Sequence, residues 1–217
     1  MREGLGTKQY CSGAQFVTDA LVTAHHEGTL LMFSVSLGAP AVHIEPSTWA
    51  SAAMADTETA PVNFDSLLVA KDACLREGNW YLERPGFWHG AIGPAACWAG
   101  GAMSLVDAAR ELNRSDLHAR AHLGTMEAAA WCLTVLLDRA GVEIDEDPED
   151  KRKQARRRAL MVRHLIERTG TDVLDRFGRA TGPQLLAFNP HSARQYASLL
   201  LYMRQCHAER DLEGIPL

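Results

Sequence analysis

At Gly93 the apolar residues of this chain stop recurring at every second position and begin recurring at every third and fourth. That change constrains the fold strongly. Side chains alternate across a strand, but on a helix they return to one face about every 3.6 residues. Before Gly93, Gln15-Phe16-Val17, Leu21-Val22-Thr23, Thr29–Val35 and Val42-His43-Ile44 form short apolar or β-branched runs. Gly, Pro, Asp and a His-Glu-Gly break separate them, as in a meander of antiparallel strands. Val62 with Phe64, then Leu68 with Val69, predict one or two further strands after Pro61. The stretch Ala50–Ala60 is rich in Ala, Ser and Thr without a period and reads as a loop. Arg84-Pro85-Gly86 closes the β region.

After Gly93, four helices are expected. The first aligns Ala96, Ala99, Met103, Val106 and Arg110, with Ala95, Cys97 and Leu105 widening the stripe. Gly100-Gly101 inside it costs roughly 1 kcal/mol per Gly relative to Ala, which close approach of a backbone or ligand would explain. After a turn at Asn113–Asp116, the second aligns Ala119, Leu123, Met126, Ala130, Leu133 and Leu137 and is expected to end at Gly141. The acidic linker Glu143–Asp150 precedes the third, which aligns Ala159, Val162, Ile166, Val173 and Phe177. Gly178–Pro190 reads as a loop, and the fourth helix aligns Tyr196, Leu200, Met203 and His207. The expected fold class is α+β, a partial antiparallel β domain over residues 1–90 followed by a four-helix up-down bundle over 91–217.

The 217 residues suffice for a substantial core in one or two domains, and 47% apolar with 23% charged residues is an ordinary globular balance. A formal charge of −5 gives no basic surface for nucleic acid. No apolar run approaches the ~20 residues of a membrane span, and no apolar stretch follows a basic start as in a signal peptide. Cys11, Cys74, Cys97, Cys132 and Cys206 are scattered without a CxxC spacing, which reads as a reduced, cytoplasmic protein. His118 and His122 lie four apart on a helix, but no third ligand falls near them, so no metal site is expected. His25-His26 reads as a solvent-facing turn. The basic run Lys151–Arg158 is read as compensating the acidic linker rather than meeting a phosphate. No P-loop, Gly-x-Ser-x-Gly or dinucleotide Gly fingerprint occurs.

Four segments, in order, resemble the acyl-CoA dehydrogenase family of flavoproteins. Lys8-Gln9-Tyr10-Cys11-Ser12-Gly13-Ala14 is similar to the family's strand against the flavin ring. Trp49, Met54, Thr57, Thr59 and Phe64 match ordered positions of its middle β domain. Phe177-Gly178-Arg179-Ala180-Thr181-Gly182 resembles the Gly-rich segment of its C-terminal helical domain. Gln205-Cys206-His207-Ala208-Glu209-Arg210-Asp211 resembles the ending of a bacterial branch.

The resemblance implies FAD as cofactor, with Tyr10 stacking near the isoalloxazine and Ser12 hydrogen-bonding near its redox-active nitrogen. It implies that Gly178, Thr181 and Gly182 approach the pyrophosphate from a neighbouring subunit. The residues alone also allow a half-exposed strand at Tyr10 and Ser12, and a helix C-cap at Gly178. The family's reaction is α,β-dehydrogenation of an acyl-CoA thioester and needs a base late in the chain. No aromatic-Glu-Gly segment is present, which leaves His207 or Glu209, unless His207 continues its apolar stripe and Glu209 is a solvated helix residue.

The likeness begins part-way into the middle domain. The N-terminal helical domain and the segment that contacts flavin and thioester have no counterpart, and Asn113–Asp116 lacks the family's Arg and Phe-Gly pair. Two roles are therefore expected: the back part of an FAD-dependent acyl-CoA dehydrogenase-like oxidoreductase, or a non-catalytic accessory subunit. A homo-oligomer formed through the bundle, or a complementary N-terminal chain covering unpaired strand edges, is the expected partner.

Overall fold

The computed structural model describes residues 2–76 and 78–215. The chain divides into two compact units, Met1–Arg84 and Pro85–Leu217. In the first unit, β1 (Arg2–Cys11) is followed by a 3-10 turn at Ala14–Phe16, then β2 (Asp19–His26), β3 (Thr29–Ser36) and β4 (Val42–Ile44). A second 3-10 turn (Ala55–Thr57) leads to β5 (Ala60–Val69), β6 (Cys74–Arg76) and the single-turn α1 (Trp80–Glu83). Two antiparallel three-stranded sheets result, with strand orders β1-β5-β4 and β2-β3-β6.

The central strands show why. On β5 the buried residues Ala60, Val62 and Phe64 alternate with less buried ones, and on β3 Leu31, Phe33 and Val35 point into the same core. β2 and β3 are joined through Glu27 and Gly28, both at positive φ (48° and 78°). That is the left-handed pair a two-residue hairpin turn requires. The expected run at Gln15–Val17 is a 3-10 turn rather than a strand, because Gly13 at φ 71° turns the chain out of β1. Only Ala14 of this segment is buried, while Phe16 and Val17 are exposed.

The second unit contains α2 (Pro85–Gly90), α3 (Ile92–Glu111), α4 (Leu117–Glu146), α5 (Ala155–Thr181), α6 (Pro183–Phe188), α7 (Pro190–Tyr202) and α8 (Glu209–Glu213). α5 is the hub, packing against α3, α4 and the elements that follow it. The stripes expected on α4 and α5 lie in the core: Met126 and Leu133 meet Val162, Ile166, Val173 and Phe177.

On α3 the buried face is Ala95, Trp98, Ala99, Ala102, Leu105, Val106 and Ala109, so Met103 sits at its margin and Arg110 is exposed. Arg110 instead bridges Asp107 and Glu127. Runs of Ala and Gly give little contrast between neighbouring faces, and Trp98, fully buried, decides the orientation. Gly101 does permit a close approach: an added Cβ would lie 3.1 Å from Leu199 Cδ1. Gly100 faces open space.

Three expected boundaries move. α4 runs through Gly141 to Glu146, α5 runs through Gly178 to Thr181, and α6 occupies part of the segment expected as a loop. The linker acids divide their work. Asp147 accepts the backbone N–H groups of Lys151 and Arg152 (2.9 and 2.8 Å), and Asp150 Oδ1 accepts those of Gln154 and Ala155.

Candidate functional site

β1 pairs regularly with β5 from Gly6 to Lys8, then shifts register between Lys8 and Cys11. This bulge turns Cys11 toward the β core and leaves Tyr10 outside it, 86% exposed. Bulges re-aim side chains in this way beside functional sites. Burial raises the pKa of the Cys11 thiol, partly offset by the nearby charge of Lys8.

Ser12, one residue beyond the strand, is fixed by a relay of hydroxyls. Ser12 Oγ lies 2.7 Å from Thr59 Oγ1, which lies 2.9 Å from Thr57 Oγ1, which donates to the Met54 carbonyl. The Gly13 N–H donates to the Thr57 carbonyl, so backbone and side chains hold the same turn. Trp49 Nε1 donates to the Ala53 carbonyl and closes the loop below it. The Trp49, Met54, Thr57 and Thr59 positions of the sequence pattern thus form the support of Ser12. Tyr10 and Ser12 border a groove of about 380 Å³ that also touches Lys8, Leu21 and Thr23.

In the helical unit the three candidates near the end of α5 separate. Gly178 lies inside the helix, and its carbonyl accepts the Gly182 N–H. Thr181 is buried, its hydroxyl donating to the carbonyls of Phe177 and Gly182. Gly182 caps the helix at φ 65°, and a Cβ there would lie 3.7 Å from Arg114 Nη1. Gly182 is therefore the residue of this segment that leaves the helix, half-buried and with the Arg114 cation beside it. Arg114 is paired with Asp116 (3.0 Å), and sequence reading gave it no role.

His207 does not continue the α7 stripe. α7 ends at Tyr202, and Leu199, Met203 and Cys206 are the buried positions, while Leu200 and His207 face outward. His207 instead meets Asp211: its N–H donates to Oδ2 (3.3 Å) and its Nδ1 lies 3.4 Å from Oδ1. Asp211 is buried, with Arg163 Nε 3.9 Å away, and Arg163 stacks over the Trp98 ring (4.8 Å). Burial raises the pKa of the adjacent Cys206 thiol. Glu209 is exposed at the start of α8 and, among the described residues, makes no side-chain hydrogen bond or ion pair. The i, i+4 spacing of His207 and Asp211 was the overlooked signal.

These groups do not converge within the helical unit. At a rise of about 1.5 Å per residue, Arg163 beside Asp211 and Thr181 beside Gly182 stand roughly 27 Å apart along α5. Within the Lys151–Arg158 run, Lys151 pairs with Glu149, Arg152 with Glu146 and the buried Arg158 with Glu143. Among the described residues, no group of three His, Cys, Asp or Glu side chains could hold a metal, and no helix is long and apolar enough to cross a membrane.

No protein-family model matches the sequence, and no curated protein matches it at a significant level. Solved structures match it over nearly its whole length. An acyl-CoA dehydrogenase from Geobacillus kaustophilus superimposes with a TM-score of 0.83 at 14% identity, covering 97% of this chain and 59% of that one. The chain carries the acyl-CoA dehydrogenase fold. FMN-bound TdsC from Paenibacillus sp. A11-2 shares it with a TM-score of 0.83 at 17% identity, over 98% of this chain and 62% of that one. An acyl-CoA dehydrogenase from Slackia heliotrinireducens shares it with a TM-score of 0.80 at 16% identity, over 99% and 60%. The chain thus spans about 60% of the length of these acyl-CoA dehydrogenase-fold proteins.

Proposed function

We propose that this chain forms one wall of the flavin site of an acyl-CoA dehydrogenase-like oxidoreductase. The observation that carries the reading is the supported hydroxyl of Ser12 beside a bulge that presents Tyr10 outward. Ser12 would donate to the flavin ring and favour the negative charge it gains on reduction, and Tyr10 would lie against the ring. Gly182, half-buried at the helix end with Arg114 beside it, is the part of the Gly178–Gly182 segment that places a cation for a phosphate.

When bound, FAD supplies the two-electron acceptor for α,β-dehydrogenation of an acyl-CoA thioester, or for a related flavin reaction. His207 is the better base. Asp211 holds its Nδ1, which leaves Nε2 to take the substrate proton, whereas nothing orients Glu209. Cysteines scattered without a disulfide among the described residues suit a reducing, cytoplasmic setting.

A second reading rests on the strand edges. Among the described residues β1 pairs only with β5 and β2 only with β3, and an apolar cleft of about 490 Å³ lies between these edges. Leu5 and Leu21 project from them, 80% and 63% exposed. An accessory chain that pairs with a complementary N-terminal chain would cover this cleft.

The deciding test is the visible spectrum of the purified chain titrated with FAD. A perturbed flavin band that is weakened by Ser12→Ala supports the first reading. No perturbation by FAD, with uptake restored only in complex with a second chain, supports the accessory role.

A further inference from the structure

Ala208 sits at φ 45° and ψ −113°, a backbone conformation that a residue with a Cβ rarely adopts. Such a residue persists only where its surroundings hold it, and strain of this kind gathers at sites that need one fixed geometry. Here it turns the chain between the buried Cys206 and the buried Asp211, and the two oxygens of Asp211 end in different company. Oδ1 faces the His207 ring, with Nδ1 at 3.4 Å. Oδ2 accepts the His207 N–H at 3.3 Å and has Arg163 Nε at 3.9 Å and the Cys206 thiol at 4.0 Å. Arg163, on α5, is itself tied down on several sides. Its Nη1 donates to the Ala91 carbonyl at the start of α3 (2.9 Å), and its Nη2 donates to the Gln205 carbonyl (3.2 Å). The guanidinium also lies 4.8 Å over the ring of the fully buried Trp98. A planar fork with fixed donor directions, held at both ends, leaves only its Nε edge for Asp211.

We propose that Arg163 is the positioning residue of His207. Acting through Asp211, it fixes which carboxylate oxygen meets the imidazole, and so which ring nitrogen carries the proton. A carboxylate only accepts hydrogen bonds, so the neutral ring must place its N–H at Nδ1 and leave Nε2 bare. A bare Nε2 is the form of the ring that takes a proton. The held end is inside and the ring outside: the Asp211 side chain is 10% exposed and that of His207 55%. Use of the bare nitrogen in a reaction rests on the reading of His207 as the base. The placement of the ring does not.

The test is nitrogen NMR of the histidine rings of the full chain without flavin, at about pH 8, above the ordinary histidine pKa of about 6.5. Loss of a signal in His207→Gln identifies the ring. Wild type is expected to show the Nδ1–H form, the opposite of the Nε2–H form that free histidine prefers. Asp211→Asn keeps the shape. Its amide oxygen is expected to turn to the Arg163 and His207 N–H donors, which points its NH2 group at Nδ1 and inverts the ring to Nε2–H. Arg163→Lys keeps the charge but cannot reach Ala91, Gln205 and Asp211 together. It is expected to give a mixture of both forms at wild-type helicity by circular dichroism. Ala208→Gly relieves the backbone and leaves Arg163 in place, so it should melt higher and keep Nδ1–H. A wild-type ring in the Nε2–H form overturns the proposal. So does Nδ1–H surviving in Asp211→Asn or unchanged in Arg163→Lys. Loss of Nδ1–H in Ala208→Gly also overturns it, because the strained backbone and not Arg163 would then hold the ring. None of these readouts involves FAD, so failure of the flavin titration and failure of this proposal are separate results.

Discussion

A methyl group added at Gly170 would lie 2.8 Å from Met203 Sδ and 3.9 Å from Ala102 Cβ, whereas one added at Gly100 would meet nothing within 4 Å. Both residues are helical, so Ala gains the same propensity at each, and packing alone separates the outcomes. Gly100→Ala is expected to raise stability by about 0.5–1 kcal/mol and Gly170→Ala to lower it by about 1 kcal/mol in urea unfolding. Stabilisation by both would mean that Met203 repacks freely. Asp147 supplies a pH-dependent counterpart. The N–H groups of Arg152 and Lys151, with the charges of these residues, hold its carboxyl below the ordinary range. A pKa that is lower folded than unfolded contributes stability that is fully present above the unfolded value of about 4 and lost as pH falls through the folded one. Asp147→Asn is therefore expected to lower the melting temperature at pH 7, with the gap to wild type closing as pH falls below about 4. A constant gap would assign the effect to packing. The sequence pointed to a structural role for these acids but did not show which of them accept backbone N–H groups, because capping is decided by the turn at Asp150 and Lys153, both at positive φ.

The helices were legible where a stripe contrasts with its flanks, as on α5, and misread where a glycine was taken as a stop. α4 passes Gly141 because Ala140 is buried and Ile144 packs on the core beyond it. α5 passes Gly178 because Ala180 and Thr181 are buried in the next turn. The stop that holds is Gly182 at positive φ followed by Pro183, a pairing visible in the sequence and more specific than a lone glycine. The same burial argument explains the α7 error, since Leu199, Met203 and Cys206 form the inward row and leave His207 free to meet Asp211. At the other end of α7, Asn189 accepts the Ser192 N–H (3.0 Å) with Pro190 in the first turn. Asn189→Ala is expected to cost about 1 kcal/mol and to speed amide exchange in the first turn of α7. Unchanged exchange would show that the packing of Tyr196 and Leu199 holds the turn without the cap.

Two compact units need not be complete in the same sense. The helical unit buries Trp98, Met126, Leu133, Ile166, Phe177 and Met203 fully, while the largest residues of the β core, such as Phe33 and Phe64, retain some exposure. The site candidates follow the same division: Tyr10 and Ser12 belong to the unit with open edges, and His207, Asp211 and Gly182 to the closed one. Leu5 and Leu21 lie on the two open edges and make little contact within the chain. Replacing both with Lys is expected to change unfolding free energy by no more than about 0.5 kcal/mol, the usual range for surface positions. The double variant is also expected to bind less of an apolar dye and to aggregate more slowly, because charges on an edge block strand addition. If the melting temperature instead falls by several degrees, these leucines pack within the chain and the edges are already closed. If stability and dye binding both stay unchanged, the exposed apolar surface lies elsewhere, and the complementary-chain reading loses its support.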